Sequence, residues 1–436
     1  MKKSFLAVLA ISTISFTVFS CSNDDSVEQV ISEAKDVTIT SYSKNYGYSG
    51  DLIKVNGENF PSKDKCKVYF DDVLAEVISV SEDGKEMNIK LPEISSGIPT
   101  LRFEFGNSKF TNSVTNEYQS NIGVINKKVG GWVSTKSSVP LSDVNMIQSS
   151  QVKNNGKIYI ASQYGYNIHR SLDNGLTWKH WTINGIGSFG DFHATENDEG
   201  WFSSQSDLTK VPVGGSTTVG ASMLSTIDGQ FTTVYVDQNM TEGVAVTRKG
   251  NIYKSVDGTN FNQILTSSST NNNLFKSPFK LDINNMWSIG VKGDGGGKGN
   301  GMILYCNGNN DVWHEYVFPA SYGTSNVENI FFTNSQTGFC TLRRPIADKI
   351  VLFKTTNGGA TWSEINEFIE PAKTISITFV DNTHGYLVLD NNIHVTKDGG
   401  NTWNVDFTTQ NPIQDIKFSN NCVYAITKGE IVRKFL

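Results

Sequence analysis

Three stretches of this chain carry the same pattern: RSLDNGLTW (170–178), KTTNGGATW (354–362) and VTKDGGNTW (395–403). Each has Ser or Thr, then Asp or Asn two residues on, then Gly and a closing Trp. Weaker copies can be aligned on the closing aromatic or apolar residue. They give Trp132, Trp178, Val219, Phe261, Trp313, Trp362 and Trp403, with gaps of 46, 41, 42, 52, 49 and 41 residues. A fixed period of this length is the mark of a repeat architecture, in which stacked units bury a shared core.

The residues before each pattern define the unit. In 375–407, ISITFV, YLVL, IHVT and TWNVDF read as four short strands separated by DNTHG, DNN and DGGN. Asn, Asp and Gly suit such turns, because the first two bond their own backbone and Gly accepts positive φ. The unit is therefore a four-stranded antiparallel meander, the length of one propeller blade. VENIFFT, GFCTL and KIVLFKT repeat it at 327–355. The chain ends with only three strands, IQDIKFS, CVYAIT and EIVRKF, while GGWVSTK (130–136) stands alone at the start. Together they make one more blade, closed by an N-terminal strand. The reading is an all-β chain with a seven-bladed β-propeller over 128–436.

The repeated pattern resembles the Asp box of BNR-type propellers. The resemblance implies a structural turn between the third and fourth strands. Its members would be Ser171, Asp173, Gly175 and Trp178; Ser255 and Asp257; Thr355, Asn357, Gly359 and Trp362; and Thr396, Asp398, Gly400 and Trp403. The acids and amides would fold back on the backbone and the Trp rings would pack between blades. GFCTLRRPIADKIVLFKTTNGGATW and GYLVLDNNIHVTKDGGNTW also resemble the photosystem II assembly-factor type of propeller, a family that acts by binding proteins; fold alone does not fix function.

Ahead of the propeller, DLIKVNGENF, CKVYFDDVLAEVISVS, EMNIKLP and TLRFEFGN alternate as short strands, the mark of a small β-sandwich. With Gly50, Gly57, Phe60, Pro92 and Gly97, residues 36–120 resemble an IPT/TIG domain, an immunoglobulin-like fold. Gly57 is expected to supply unusual backbone angles and Phe60 to fill the sandwich. In surface lipoproteins such domains hold a binding domain away from the membrane. The first residues fit that setting. Lys2 and Lys3 precede the apolar run FLAVLAISTISFTVF, which reads as an export signal over 1–20. VFSC resembles a bacterial lipobox with Val18 in place of the commoner Leu, making Cys21 the lipidated residue of a tether over 21–35. SNDDSVEQ resembles the acidic export tail of Bacteroidetes surface lipoproteins. The expectation is an outer membrane lipoprotein exposed at the cell surface. Its contact with the membrane is through lipid alone.

The formal charge of −6 becomes about −8 once Lys2 and Lys3 are cleaved, which disfavours nucleic acid. Cys66, Cys306, Cys340 and Cys422 show no zinc spacing and lie in apolar segments, so buried free thiols are the default, with a disulfide open in an oxidising compartment. In a four-stranded meander the labelled turns share one face. The opposite face carries SQYGYN (162–167), TRKGN (247–251), SSSTNNNLFKSPFK (267–280), VKGDGGGKGNG (291–301), PASYGTSN (319–326) and LRRPIADK (342–349). Its candidate ligand-binding residues are Tyr164, Tyr166, Arg248, Lys298, Tyr322, Arg343 and Arg344. Arg forks suit carboxylate, sulfate or phosphate, and rings stack on sugars.

VKGDGGGKGNG lacks Ser or Thr after Lys298 and a following helix, so it is not a phosphate loop; EF-hand spacing is absent. No cofactor and no metal are called for. Asp-box propellers include sialidases and xyloglucanases, but the Arg-Ile-Pro motif is missing before the first box, and Asp191, Glu328 and Asp415 are not paired by spacing. The reading is a non-catalytic binding module for a glycan or protein ligand. The alternatives are a glycoside hydrolase and a structural partner in an outer-membrane complex.

Overall fold

The computed structural model describes residues 36–112, 121–136, 147–162, 167–182, 189–204, 208–213, 230–267, 272–293, 299–344, 347–368 and 372–436. Cys21, Tyr164, Tyr166, Lys298 and Val219 lie outside them.

Alternation of apolar and polar residues folds 37–112 into a wrapped sheet. Its strands run in the order Leu101–Phe105, Cys66–Phe70, Val73–Val80, Glu86–Lys90, Leu52–Glu58, Val37–Tyr42, Phe110–Asn112. The inward set, including Val37, Ile39, Ile53, Val55, Phe60, Val68 and Phe103, forms one core. Gly57 has a different reason from the one expected: its φ is not left-handed, and a Cβ there would sit 2.1 Å from the Thr38 carbonyl oxygen and 2.6 Å from the Phe60 ring. The left-handed residue of that turn is Asn59, with φ 60°.

Seven further sheets follow, numbered here as blades 1 to 7 in chain order. Blade 1 spans Ile147–Val152 to Lys179–Thr182, and blade 2 has three described strands from Phe189–Ala194 to Leu208–Val211. Blades 3, 4, 5 and 6 begin at Phe231–Val236, Asn272–Asp282, Asn326–Phe332 and Ile375–Phe379 and each has four strands. Blade 7 contains Ile413–Ser419, Cys422–Thr427 and Glu430–Phe435, and Glu430–Phe435 pairs antiparallel with Trp132–Lys136.

A blade interior is covered on both sides, so its strands read as near-continuous apolar runs. Because side chains alternate, each strand feeds two gaps. Ile158 and Ile160 pack toward blade 7, while Tyr159 and Ala161 pack toward blade 2. Val423 and Ala425 face blade 6, and Cys422, Tyr424 and Ile426 face blade 1. Hydrophobic clusters fill all seven gaps, including the one between the last blade and the first. The chain is thus all-β: an immunoglobulin-like domain and a seven-bladed β-propeller. Its four described cysteines are buried and free. Among the described residues no helix is long and apolar enough to cross a membrane.

One segment departs from the sequence reading. The sequence pattern places FKSPFK in a surface loop, but Asn272–Asp282 is the inner strand of blade 4. Pro278 has no N–H to give the ladder, and the register slips between Lys276 and Phe279, where a bulge absorbs it.

Candidate functional site

The labelled turns are local hydrogen-bond networks, although in blade 1 the Trp178 indole N–H finds no acceptor among the described residues. Thr396 Oγ1 donates to Asp398 Oδ1 (2.8 Å), which also accepts the Thr402 amide (2.9 Å), while the Gly400 amide donates to Thr396 Oγ1 (2.9 Å). Asp173 repeats this with Ser171, Thr177 and Gly175, and Asn357 with Thr355, Thr361 and Gly359. In blade 3, Ser255 donates to Asp257, whose Oδ1 accepts the Thr259 and Asn260 amides. Bonds from Thr402 and Thr396 hold the Asp398 carboxyl down to about 2. Trp403 and Trp362 donate their indole N–H to the carbonyls of Gly400 (2.9 Å) and Gly359 (3.1 Å). In the degraded blade 4 copy Trp313 does the same to Asn310 (2.8 Å). Asp173, Asn357 and Asp398 thus spend their side chains on hydroxyl and amide donors of their own turn.

Antiparallel meanders place the opposite face at the second-to-third turns and the inter-blade links. On blade 5 this brings together Tyr322, Arg343 and Arg344. The Arg344 guanidinium lies 5.7 Å from the Tyr322 ring centroid, and its Nε donates to the Tyr322 carbonyl (2.9 Å). Tyr322 donates its hydroxyl to Glu364 (2.8 Å), and burial followed by that carboxylate pushes its phenol up to about 12. Lys349 and Arg344 share Glu367, and Arg343 pairs with Glu328 at 3.3 Å. The basic bias read from sequence is therefore matched by acids contributed from neighbouring strands. Glu328 comes from the first strand and Glu364 and Glu367 from the fourth, positions that pairing register, rather than sequence proximity, brings into reach. Arg248 is exposed on blade 3, bonded to Asn273 of blade 4, and stands apart from this group.

The inner strands hold a second polar set that the sequence did not pair. Asp191 of blade 2 accepts bonds from Ser149 of blade 1 (3.0 Å), the Val234 amide of blade 3 (3.1 Å) and Lys280 of blade 4 (2.5 Å). Lys280 also donates to the Val234 carbonyl (3.0 Å); burial lowers its pKa and Asp191 opposes the shift. Asp415 of blade 7 accepts from Ser150 of blade 1 (2.6 Å), Ser376 of blade 6 (2.7 Å) and its own Lys417. Each carboxylate ties several blades together and faces a lysine. Beside them, His193 is buried against the Tyr235 ring at 4.4 Å with neither ring nitrogen bonded. No group of three or more His, Cys, Asp or Glu is placed to hold a metal among the described residues.

This geometry defines a seven-bladed propeller with polar links among its inner strands and an Arg–Tyr platform on the face away from its labelled turns. Residues 37–121 match the IPT/TIG domain family. The propeller fold is similar to YCF48 from Cyanidioschyzon merolae, at 16% identity and a TM-score of 0.52 over 70% of this chain and 99% of that one. It is similar to YCF48 bound to D1 peptide, at 15% identity and a TM-score of 0.51 over 71% and 98%. It is also similar to a catalytically inactive virginiamycin B lyase from Staphylococcus aureus with quinupristin, at 12% identity and a TM-score of 0.52 over 70% and 99%. At these identities the likeness is of fold. Comparison with curated proteins gives no match.

Proposed function

We propose that this protein is a lipid-anchored, cell-surface binding module that holds a glycan or a protein segment on the propeller face opposite the labelled turns. Cys21 carries the lipid, and the pairing of Trp132–Lys136 with Glu430–Phe435 closes the ring. The observation that carries the reading is the Arg344–Tyr322 platform, a guanidinium held beside an aromatic ring at an inter-blade link. Such a pair offers a stacking face and directional donors at low entropic cost. The neighbouring Glu364 and Glu367 balance its charge, which favours a polar chain over a strongly anionic one. Asp191, Asp415 and Glu328 each have a basic partner, which supports binding over a two-carboxylate hydrolysis. A similar fold has been captured with a peptide, in keeping with a protein segment as ligand.

The test is calorimetric titration of the soluble chain from residue 22 with neutral and acidic polysaccharides and with surface proteins, beside Arg344→Ala. The reading expects binding to one class, weakened at least about tenfold by the substitution, without release of sugar products. Binding unaffected by Arg344→Ala, or turnover of a glycan, would overturn it.

A further inference from the structure

The three strongest labelled turns are not equivalent. Blades 5 and 6 have Gly358 and Gly399 at the residue after the acid or amide, both with φ 73°. Blade 1 has Asn174 there, at φ 59°. An Asn in the left-handed region is tolerated but is strained relative to Gly, so it needs another reason. Its side chain supplies one: Asn174 Nδ2 donates to the Tyr48 hydroxyl of the IPT/TIG domain at 2.8 Å. Its carbonyl accepts from the fully buried Arg433 of blade 7.

The second departure is Leu176, where the other turns have Ala360 and Asn401. Leu176 is buried, and its Cδ1 would lie 2.4 Å from a Cβ on Gly123. Gly123–Ile125 pairs in parallel with Tyr46–Tyr48. That short strand serves two cores, since Val124 belongs to the IPT/TIG core and Ile125 to the gap between blades 7 and 1. Tyr46 and Tyr48 pack against the same gap, with Tyr48 edge-on to Phe435 at 5.4 Å. Gly156 leaves room for the Tyr46 hydroxyl, which a Cβ would meet at 2.5 Å.

We infer that the labelled turn of blade 1 is a docking latch for the IPT/TIG domain, set across the seam between the first and last blades, so that the two domains form one rigid body. The surface its partner fits is apolar with two directed bonds: Leu176 lies against Gly123, Asn174 donates to the Tyr48 hydroxyl, and the Tyr46 hydroxyl donates to the Asn155 carbonyl (3.5 Å). The domain is then a fixed arm, and the label-side surface at the blade 1–blade 7 seam is covered by it.

The test returns the blade 1 turn to the blade 5 pattern with Asn174→Gly and Leu176→Ala together. These changes leave the turn its Asp173 bonds and remove the contacts that reach the other domain; Leu176→Ala also gives up packing in the gap between blades 7 and 1, which is why the second variant acts from the other side. Hydrogen exchange of the full chain should accelerate at least about tenfold at 46–48 and 123–125, with blade 3 to blade 5 strands unchanged. Gly123→Val, which wedges the seam from the other side, should release the same amides. Unchanged protection at 46–48 and 123–125 in both variants, or equal loss across all blades, would overturn the latch.

Discussion

At the residue scale, the carboxylates divide into those committed to turns and those committed to ion pairs. Asp398 has its pKa depressed by turn bonds, so the stability it gives is fully present above about pH 4 and is lost as pH falls through about 2. Asp398→Ala should lower the Tm at pH 7 and remove that part of the acid dependence, and Asp398→Asn should keep most of the Tm, since Asn357 serves blade 5 with an amide. Asp191 and Lys280 are different, with side chains 1% and 8% exposed. Removing one partner strands a buried charge at about 3–5 kcal/mol. Asp191→Asn should cost that much in chemical denaturation, and adding Lys280→Met should recover part of it. His193 is a further buried titratable group. Burial, then Lys153 and Lys280, hold its imidazole well below the ordinary 6.5. The unfolded chain therefore binds the proton first. Stability should fall as pH drops below about 6.5, by about 1.4 kcal/mol per pH unit until the folded form titrates. His193→Phe should flatten that slope in denaturation curves taken at a series of pH values.

At the element scale, the strands were legible because a blade buries both faces of each strand. IQDIKFS, CVYAIT and EIVRKF coincide with Ile413–Ser419, Cys422–Thr427 and Glu430–Phe435. FKSPFK was not legible as a strand, since Pro278 and two lysines suggest a loop, while the ion pair that buries Lys280 comes from blade 2. The platform was half legible. Tyr322, Arg343 and Arg344 stood out as residue types, but their acids are set by register across blade 5. That register separates the two arginines. Arg343 is the partner of Glu328, which is 11% exposed, so Arg343→Ala should destabilise blade 5. Arg344 shares Glu367 with Lys349, so Arg344→Ala should leave the Tm within about 2 °C of wild type. Thermal scans of the two variants check the contrast.

At the scale of the whole molecule, the period of the labelled turns gave seven units and the unmatched ends paired in space, Trp132–Lys136 with Glu430–Phe435. What period could not give was the contact between domains, because Tyr46, Gly123 and Leu176 are remote in sequence and carry no shared pattern. The proposed function amounts to a division of labour, in which labelled turns build the scaffold and the opposite face would bind. The most direct measurement compares ligand affinity and Tm for Arg344→Ala and for Asp398→Ala. The division predicts at least about a tenfold weaker Kd with little change in Tm for the first, and a lower Tm with unchanged Kd for the second. Loss of affinity on replacing Asp398, with the Arg344 variant binding as wild type, would place function on the labelled turns and contradict it.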